Sequence, residues 1–234
     1  MFNYDSLKFF LIQKLPFFIK KNFLYKNQLW KGRPEVLKSI IDNFDDPINV
    51  LEIGVWFGEG STQLLLDYLP DNSILHLVDY WDAYMSDHDL KNSALSTKLM
   101  NSVSKHAFSN VLNKVSLNSR LKILIHKGKS LDLLPFFRDK SFDLIYIDGS
   151  HYYPAVKQDI INAKRLIKKN GIICGDDLEI FPDDEIYNHS KPHTTSDVIS
   201  FDGHPYHPGV LMATYEEFED IKMKNGIWWV KSSD

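Results

Sequence analysis

The run FDLIYIDGSH, residues 142–151, decides the fold. Leu144, Ile145, Tyr146 and Ile147 follow one another with no polar residue to mark a wet face, so the strand they form is buried on both sides, as in a parallel sheet covered by helices. It ends in Asp148-Gly149-Ser150-His151. A carboxylate, a flexible glycine and an imidazole at the carboxyl end of a central strand stand where open α/β sheets bind ligands. Taken alone, the same residues also describe a strand followed by an Asx-type turn, with Asp148 capping the next helix. Two further acidic strand ends at related places favour a site.

Upstream, Ile48 to Ile53 is a first buried strand that runs into Gly54-Val55-Trp56-Phe57-Gly58-Glu59-Gly60-Ser61-Thr62 and then a helix through Leu64, Leu65, Leu66 and Tyr68. Strand, glycine-rich turn and helix make the βα unit that turns backbone N–H groups and a helix N-terminus toward a ligand. The glycines do not space as G-x-G-x-x-G, which argues against a dinucleotide, and Gly128-Lys129-Ser130 is no P-loop because Ile123 stands where that motif needs glycine. Ser73 to Val78 is a second strand ending in Asp79, placed to bond both hydroxyls of a ribose. Trp81 and Tyr84 suit either stacking on a flat ring or packing an inserted segment. Asp87 to Arg120 reads as one or two helices forming part of a lid.

Leu121 to His126 is a third strand, followed by a turn and helix over Lys127 to Phe137. Beyond residue 151 comes a long amphipathic helix, Tyr153 to Lys169, closed by Asn170-Gly171 at the usual C-terminal place for glycine. Ile172 to Gly175 is the next buried strand, ending in Asp176-Asp177. Leu178 to Gly209 is long, polar and irregular, and such a segment after an acidic strand end reads as a functional lid. Its His204-Pro205-Tyr206-His207 lacks a cysteine or a ligand-like spacing, so these histidines read as solvent-exposed or substrate-facing. Gly209 to Asp220 and Gly226 to Lys231 read as a helix and an edge strand. Strands alternating with helices specify an α/β fold with a doubly wound, mostly parallel sheet.

With 234 residues, 44% of them apolar, the chain suits one well-buried domain, over residues 46–234, with an appended segment at 1–45. A net charge of −4 offers no general attraction to nucleic acid. The single cysteine, Cys174, excludes an internal disulfide and a thiolate zinc cage. No run reaches the roughly 18 to 20 apolar residues of a membrane span, and no signal-peptide pattern opens the chain, so a cytoplasmic protein is the default expectation. Residues 1–33 carry Lys8, Lys14, Lys20, Lys21, Lys26, Lys31 and Arg33 against Asp5 alone, among many aromatic and aliphatic residues. Three readings stay open for them: helices capping the domain, a contact in a homo-oligomer, or a peripheral segment on an anionic membrane surface. Pro34 opens a helix over Glu35 to Phe44.

Three strand ends thus carry acids: Asp79, Asp148 and Asp176-Asp177. In a parallel sheet they share one edge, and the last two can share a ligand only where the backbone turns. Carboxylates converging without a cation would repel and raise their pKa values, so a divalent metal is the economical expectation; all-oxygen ligation favours Mg²⁺ over Mn²⁺ or Ca²⁺.

Taken in order, VLEIGVWFGEGST, the acidic strand end, GKS, FDLIYIDGSHYYPAVKQD and GIICGDD resemble the class I S-adenosylmethionine-dependent O-methyltransferases. The closest likeness is to the metal-dependent branch with catechol O-methyltransferase and the macrocin-type sugar enzymes. It covers roughly Val50 to Asp177. The resemblance implies a Rossmann-like fold, to which the residues outside it add N-terminal helices and lid insertions. It also implies that Glu52, Gly54, Gly58 and Ser61 line the methionine end of S-adenosylmethionine, that Asp79 binds its ribose, and that Tyr80 and Ser130 face its adenine. Asp148, Asp176 and Asp177 would hold the metal. His151 stands where catechol enzymes carry lysine, and Asp177 where they carry asparagine. The expected function is methyl transfer to a hydroxyl of a small molecule, a sugar or a glycosylated or nucleotide-linked intermediate ahead of a phenol or catechol, with the metal lowering the hydroxyl pKa and His151 as general base. A non-catalytic cofactor-binding module or a membrane-surface adaptor is the alternative from another class.

Overall fold

The computed structural model describes residues 32–82 and 95–233, with side chains described for 32–82 and 106–233. The readings of residues 1–31 and of Tyr84 lie outside the described residues. Helix α1 (Arg33–Ile41) begins with Pro34 in its first turn and turns Val36, Leu37, Ile40 and Ile41 inward. The chain then alternates: β1 (Asn49–Ile53), α2 (Ser61–Tyr68), β2 (Ile74–Asp79), α3 (Leu95–Ser116), β3 (Lys122–Lys127), α4 (Ser130–Leu133) with a 3₁₀ turn Leu134–Phe136, β4 (Phe142–Ile147), α5 (Tyr153–Leu166) and β5 (Ile167–Leu178). A seven-stranded sheet results, in the order β3-β2-β1-β4-β5 and then β9 (Gly226–Lys231) and β8 (Lys222–Lys224), parallel across the first five strands.

The period-2 alternation of the strands sorts the core into two layers. Val50, Leu75, Leu77, Leu144, Tyr146 and Cys174 pack beneath α1, α2 and α3. Leu51, Ile53, Val78, Ile145, Ile147 and Ile173 pack beneath α5 and the C-terminal helix α7 (Pro208–Glu217). Both faces are covered, which is why these strands read as unbroken apolar runs. The structure is the expected Rossmann-like α/β fold.

Three details differ from the sequence reading. Helix α5 stops at Leu166 because Ile167 turns extended and is buried opposite Phe142; Asn170, with a φ of 63°, and Gly171 then lie inside β5, where its register against β4 shifts. β9 (Gly226–Lys231) is not an edge strand: it runs antiparallel between β5 and β8 (Lys222–Lys224), and the exposed lysines of β8 mark the true edge. The segment after β5 is ordered, with α6 (Asp184–Ser190) capped by the Asp183 carboxylate, a 3₁₀ turn Lys191–His193, and a hairpin of β6 (Ile199–Phe201) and β7 (His204–Tyr206). The insertion after β2 contributes one long helix, α3, among the described residues. No helix of the described residues is long and apolar enough to cross a membrane.

Candidate active site

The glycine-rich turn after β1 is held from several sides. Gly54 has a φ of +87°, and a Cβ there would lie 1.8 Å from the Asp148 carbonyl oxygen, so the close approach of the β1 and β4 ends admits only glycine. Asp79 accepts from the amides of Val55 (2.8 Å) and Trp56 (2.7 Å) through Oδ2 and from that of Trp81 (2.6 Å) through Oδ1. Burial pushes its carboxyl up, and the Trp56, Trp81 and Val55 amides oppose that. Trp81 is 2% exposed, donates from Nε1 to the Trp56 carbonyl at 2.8 Å and packs on Phe108 of α3, so it braces the fold instead of stacking on a ligand. From α3, Asn110 reaches the Phe57 carbonyl and Glu59, Lys114 binds Glu59, and Val111 lies over Gly58.

Of the remaining residues expected at the cofactor, Tyr80 is exposed, with the Lys129 ammonium 5.3 Å from its ring centroid. Glu52 and Ser61 are bonded to each other. Both Glu52 oxygens are used, Oε1 by the Ser61 hydroxyl at 2.5 Å and Oε2 by the Thr62 hydroxyl at 2.8 Å, and full burial pushes the carboxyl up to about 8. Glu52 therefore pins the first turn of α2 from within the core. Ser130 hydrogen-bonds Asp159, whose carboxyl burial pushes up to about 7.

At the neighbouring strand ends Asp148, His151, Asp176 and Asp177 line one small cavity with Val210 and Trp228. The backbone does turn at Asp177, where φ is 63°, and the Asp176 and Asp177 carboxylates share a partner. That partner is Arg33: Nη1 lies 2.7 Å from Asp176 Oδ1 and 3.1 Å from Asp177 Oδ1, and Nη2 lies 3.6 Å from Glu179. Burial, then Asp177, pushes the Asp176 carboxyl up to about 7 against the pull of Arg33. Asp177 is held well below the usual carboxylate range; burial works against this, and His207, His151 and Arg33 outweigh it. Asp148 is raised well above that range by burial and then by Asp176 and Asp177.

His151 sits between acids, with Nε2 3.1 Å from Asp177 and Nδ1 2.8 Å from Asp197. The His207 ring is 4.3 Å from it, centroid to centroid, and is anchored by Glu179 at 2.9 Å. His151, Asp177 and His207 offer ligand atoms within 4.8 Å of one another, but each has a protein partner besides. The donor types of Asp148, Asp176 and Asp177 suit Mg²⁺, yet a guanidinium bonds both members of the adjacent pair. The expected divalent ion does not fit between Asp176 and Asp177 in this arrangement. Arg33, Glu179 and Asp197 were not legible as site residues; Arg33 counted only as one more basic charge, and His207 was noticed without a partner.

A doubly wound sheet with a glycine turn after β1 and acids at the ends of β2, β4 and β5 defines a ligand-binding α/β protein of the nucleotide-cofactor kind. A family model described as a methyltransferase domain matches residues 51–178, and the chain belongs to that family. Among solved structures it is similar to an O-methyltransferase from Bacillus cereus in complex with SAH (16% identity, 98% of this chain and 91% of that one, TM-score 0.51). It also resembles a protein of Corynebacterium glutamicum (11% identity, 98% and 97%, TM-score 0.54). Against the CurJ carbon methyltransferase (19% identity, TM-score 0.40), 61% of this chain aligns and spans 32% of the other. No curated protein matches it significantly.

Proposed function

We propose that the protein is an O-methyltransferase that moves the methyl group of S-adenosylmethionine to a hydroxyl of a small molecule, a sugar or a glycosylated or nucleotide-linked intermediate ahead of a phenol. The observation that carries this reading is the His151 imidazole, fixed by Asp197 beside Asp148 at the strand edge next to the glycine turn. The turn that would hold the cofactor is pinned by the close approach of Gly54 to the Asp148 backbone and by Asp79, which fixes the amides around it. When bound, S-adenosylmethionine supplies an electrophilic methyl carbon on a sulfonium.

The chain's residues do the rest. Asp197 accepts from Nδ1–H of His151, and Nε2, which faces Asp177 at 3.1 Å, serves as the base once its own proton has passed to water and the acceptor hydroxyl lies beside it. The freed oxygen would be the nucleophile toward the methyl carbon that the bound cofactor would supply, and the proton stays on His151 until it reaches water. Asp148, whose carboxyl is pushed up by burial and then by Asp176 and Asp177, lines the same cavity and can hydrogen-bond the acceptor. Holding hydroxyl and methyl in line supplies much of the acceleration.

Calorimetric titration with S-adenosylmethionine tests the cofactor. Wild type should bind it, and Asp79→Ala should weaken binding by at least about tenfold, the scale of one charged hydrogen-bond acceptor. Absence of binding to wild type would overturn the reading. His151→Ala should keep cofactor binding and lose methyl transfer to a hydroxylated sugar; unchanged turnover would remove His151 from its role.

A further inference from the structure

The acid corner is closed by a residue from outside the span that matches the methyltransferase domain. Arg33 opens α1, 144 residues before Asp177, and is 5% exposed. Its place is built. Nε donates to the Asn225 carbonyl at 3.0 Å, in the β8–β9 turn. Gly226 in that turn has a φ of +87°, and a Cβ there would fall 2.5 Å from Arg33 Nη2. The guanidinium therefore lies in a slot that the turn keeps free of side chains, with its fork facing Asp176, Asp177 and Glu179.

We propose that Arg33 is the resident cation of this site, bonding and neutralising the Asp176–Asp177 pair in the position a divalent metal would take, so that the acid corner works without one. A buried carboxylate pair needs an opposing charge, and a planar fork with several donors meets two carboxylates better than a point charge does. The charge is supplied covalently, so it cannot be removed by chelators or exchanged between metals. A second cation brought against Asp176 and Asp177 would have to displace a buried guanidinium whose remaining carboxylate partner among the described residues is Glu179.

This inference is independent of methyl transfer, since metal uptake can be measured with neither cofactor nor acceptor. The experiment follows free Mn²⁺ by electron paramagnetic resonance as it is titrated into the full-length protein. Wild type should take up no stoichiometric Mn²⁺ at millimolar concentration. Arg33→Met, which keeps the apolar stem and removes the charge, should bind about one ion per chain, at least about 100-fold tighter than wild type, and Asp177→Asn in that background should abolish it. One Mn²⁺ per wild-type chain, released by Asp177→Asn, would overturn the proposal whether or not Arg33→Met folds. A folded Arg33→Met that binds no more Mn²⁺ than wild type would overturn it as well.

Discussion

His151 is gripped at both ring nitrogens, and the two grips do different work. Asp177 faces Nε2 from within the cavity, whereas Asp197 holds Nδ1 from the segment beyond β5. Asp197 is a positioning residue: it fixes the ring plane and the tautomer, as the third member of a nucleophile–base–acid arrangement does. Asp197→Ala should lower kcat by about 10- to 1,000-fold, with KM for S-adenosylmethionine and cofactor affinity unchanged. Steady-state kinetics on an accepted sugar separates the two; an equal loss in cofactor binding would make Asp197 merely structural. His151 and the acids Asp148, Asp176 and Asp177 were legible because a strand end advertises itself as an apolar run stopped by a charge. Their partners were not. Arg33 and Asp197 enter by tertiary contact across 144 and 46 residues, and no local spacing encodes such a meeting.

Between β2 and β3 two histidines lie diagonally across the strands, with His76 Nδ1 3.0 Å from His126 Nε2. Phe137 and Phe142 pack on the His76 ring, and burial, then His126 and Lys122, pushes its pKa down to about 4. An imidazole in the unfolded chain titrates near 6.5, so between those values the unfolded state binds the extra proton. The pair's contribution is full above about pH 6.5 and is lost as pH falls toward 4. Because the ring is only half-buried, solvent screening leaves about 1–2 kcal/mol of that loss. His76→Gln should lose less stability than wild type between pH 7 and pH 4.5, read from guanidinium midpoints; equal losses would show that the pair does not drive acid lability. At this scale the strands and helices were legible from their periods, and the errors fell on punctuation. Asn170-Gly171 reads as a helix stop, but the burial of Ile167 opposite Phe142 ends α5 earlier. Asp202-Gly203, between β6 and β7, is a two-residue hairpin signal hidden by the polarity around it.

The whole molecule is closed by an element that precedes the span shared with the methyltransferase domain. Helix α1 places Val36, Leu37, Ile40 and Ile41 in the same layer as Val50, Leu144 and Tyr146, while Arg33 reaches across to the acid corner. Burying four such aliphatic side chains is worth at most about 6–12 kcal/mol, at 1.5–3 kcal/mol each. A domain's entire stability is about 5–15 kcal/mol, so α1 is comparable with the whole margin. Removing residues 1–44 should therefore abolish cooperative thermal unfolding, because it uncovers one face of the sheet and leaves Asp176 and Asp177 without their guanidinium. Arg33→Met in the full chain separates the two losses: it keeps the apolar cover and should still melt cooperatively. Calorimetric scans of both proteins check this, and a cooperative transition in the truncated chain within a few degrees of wild type would show that residues 45–234 carry the fold unaided.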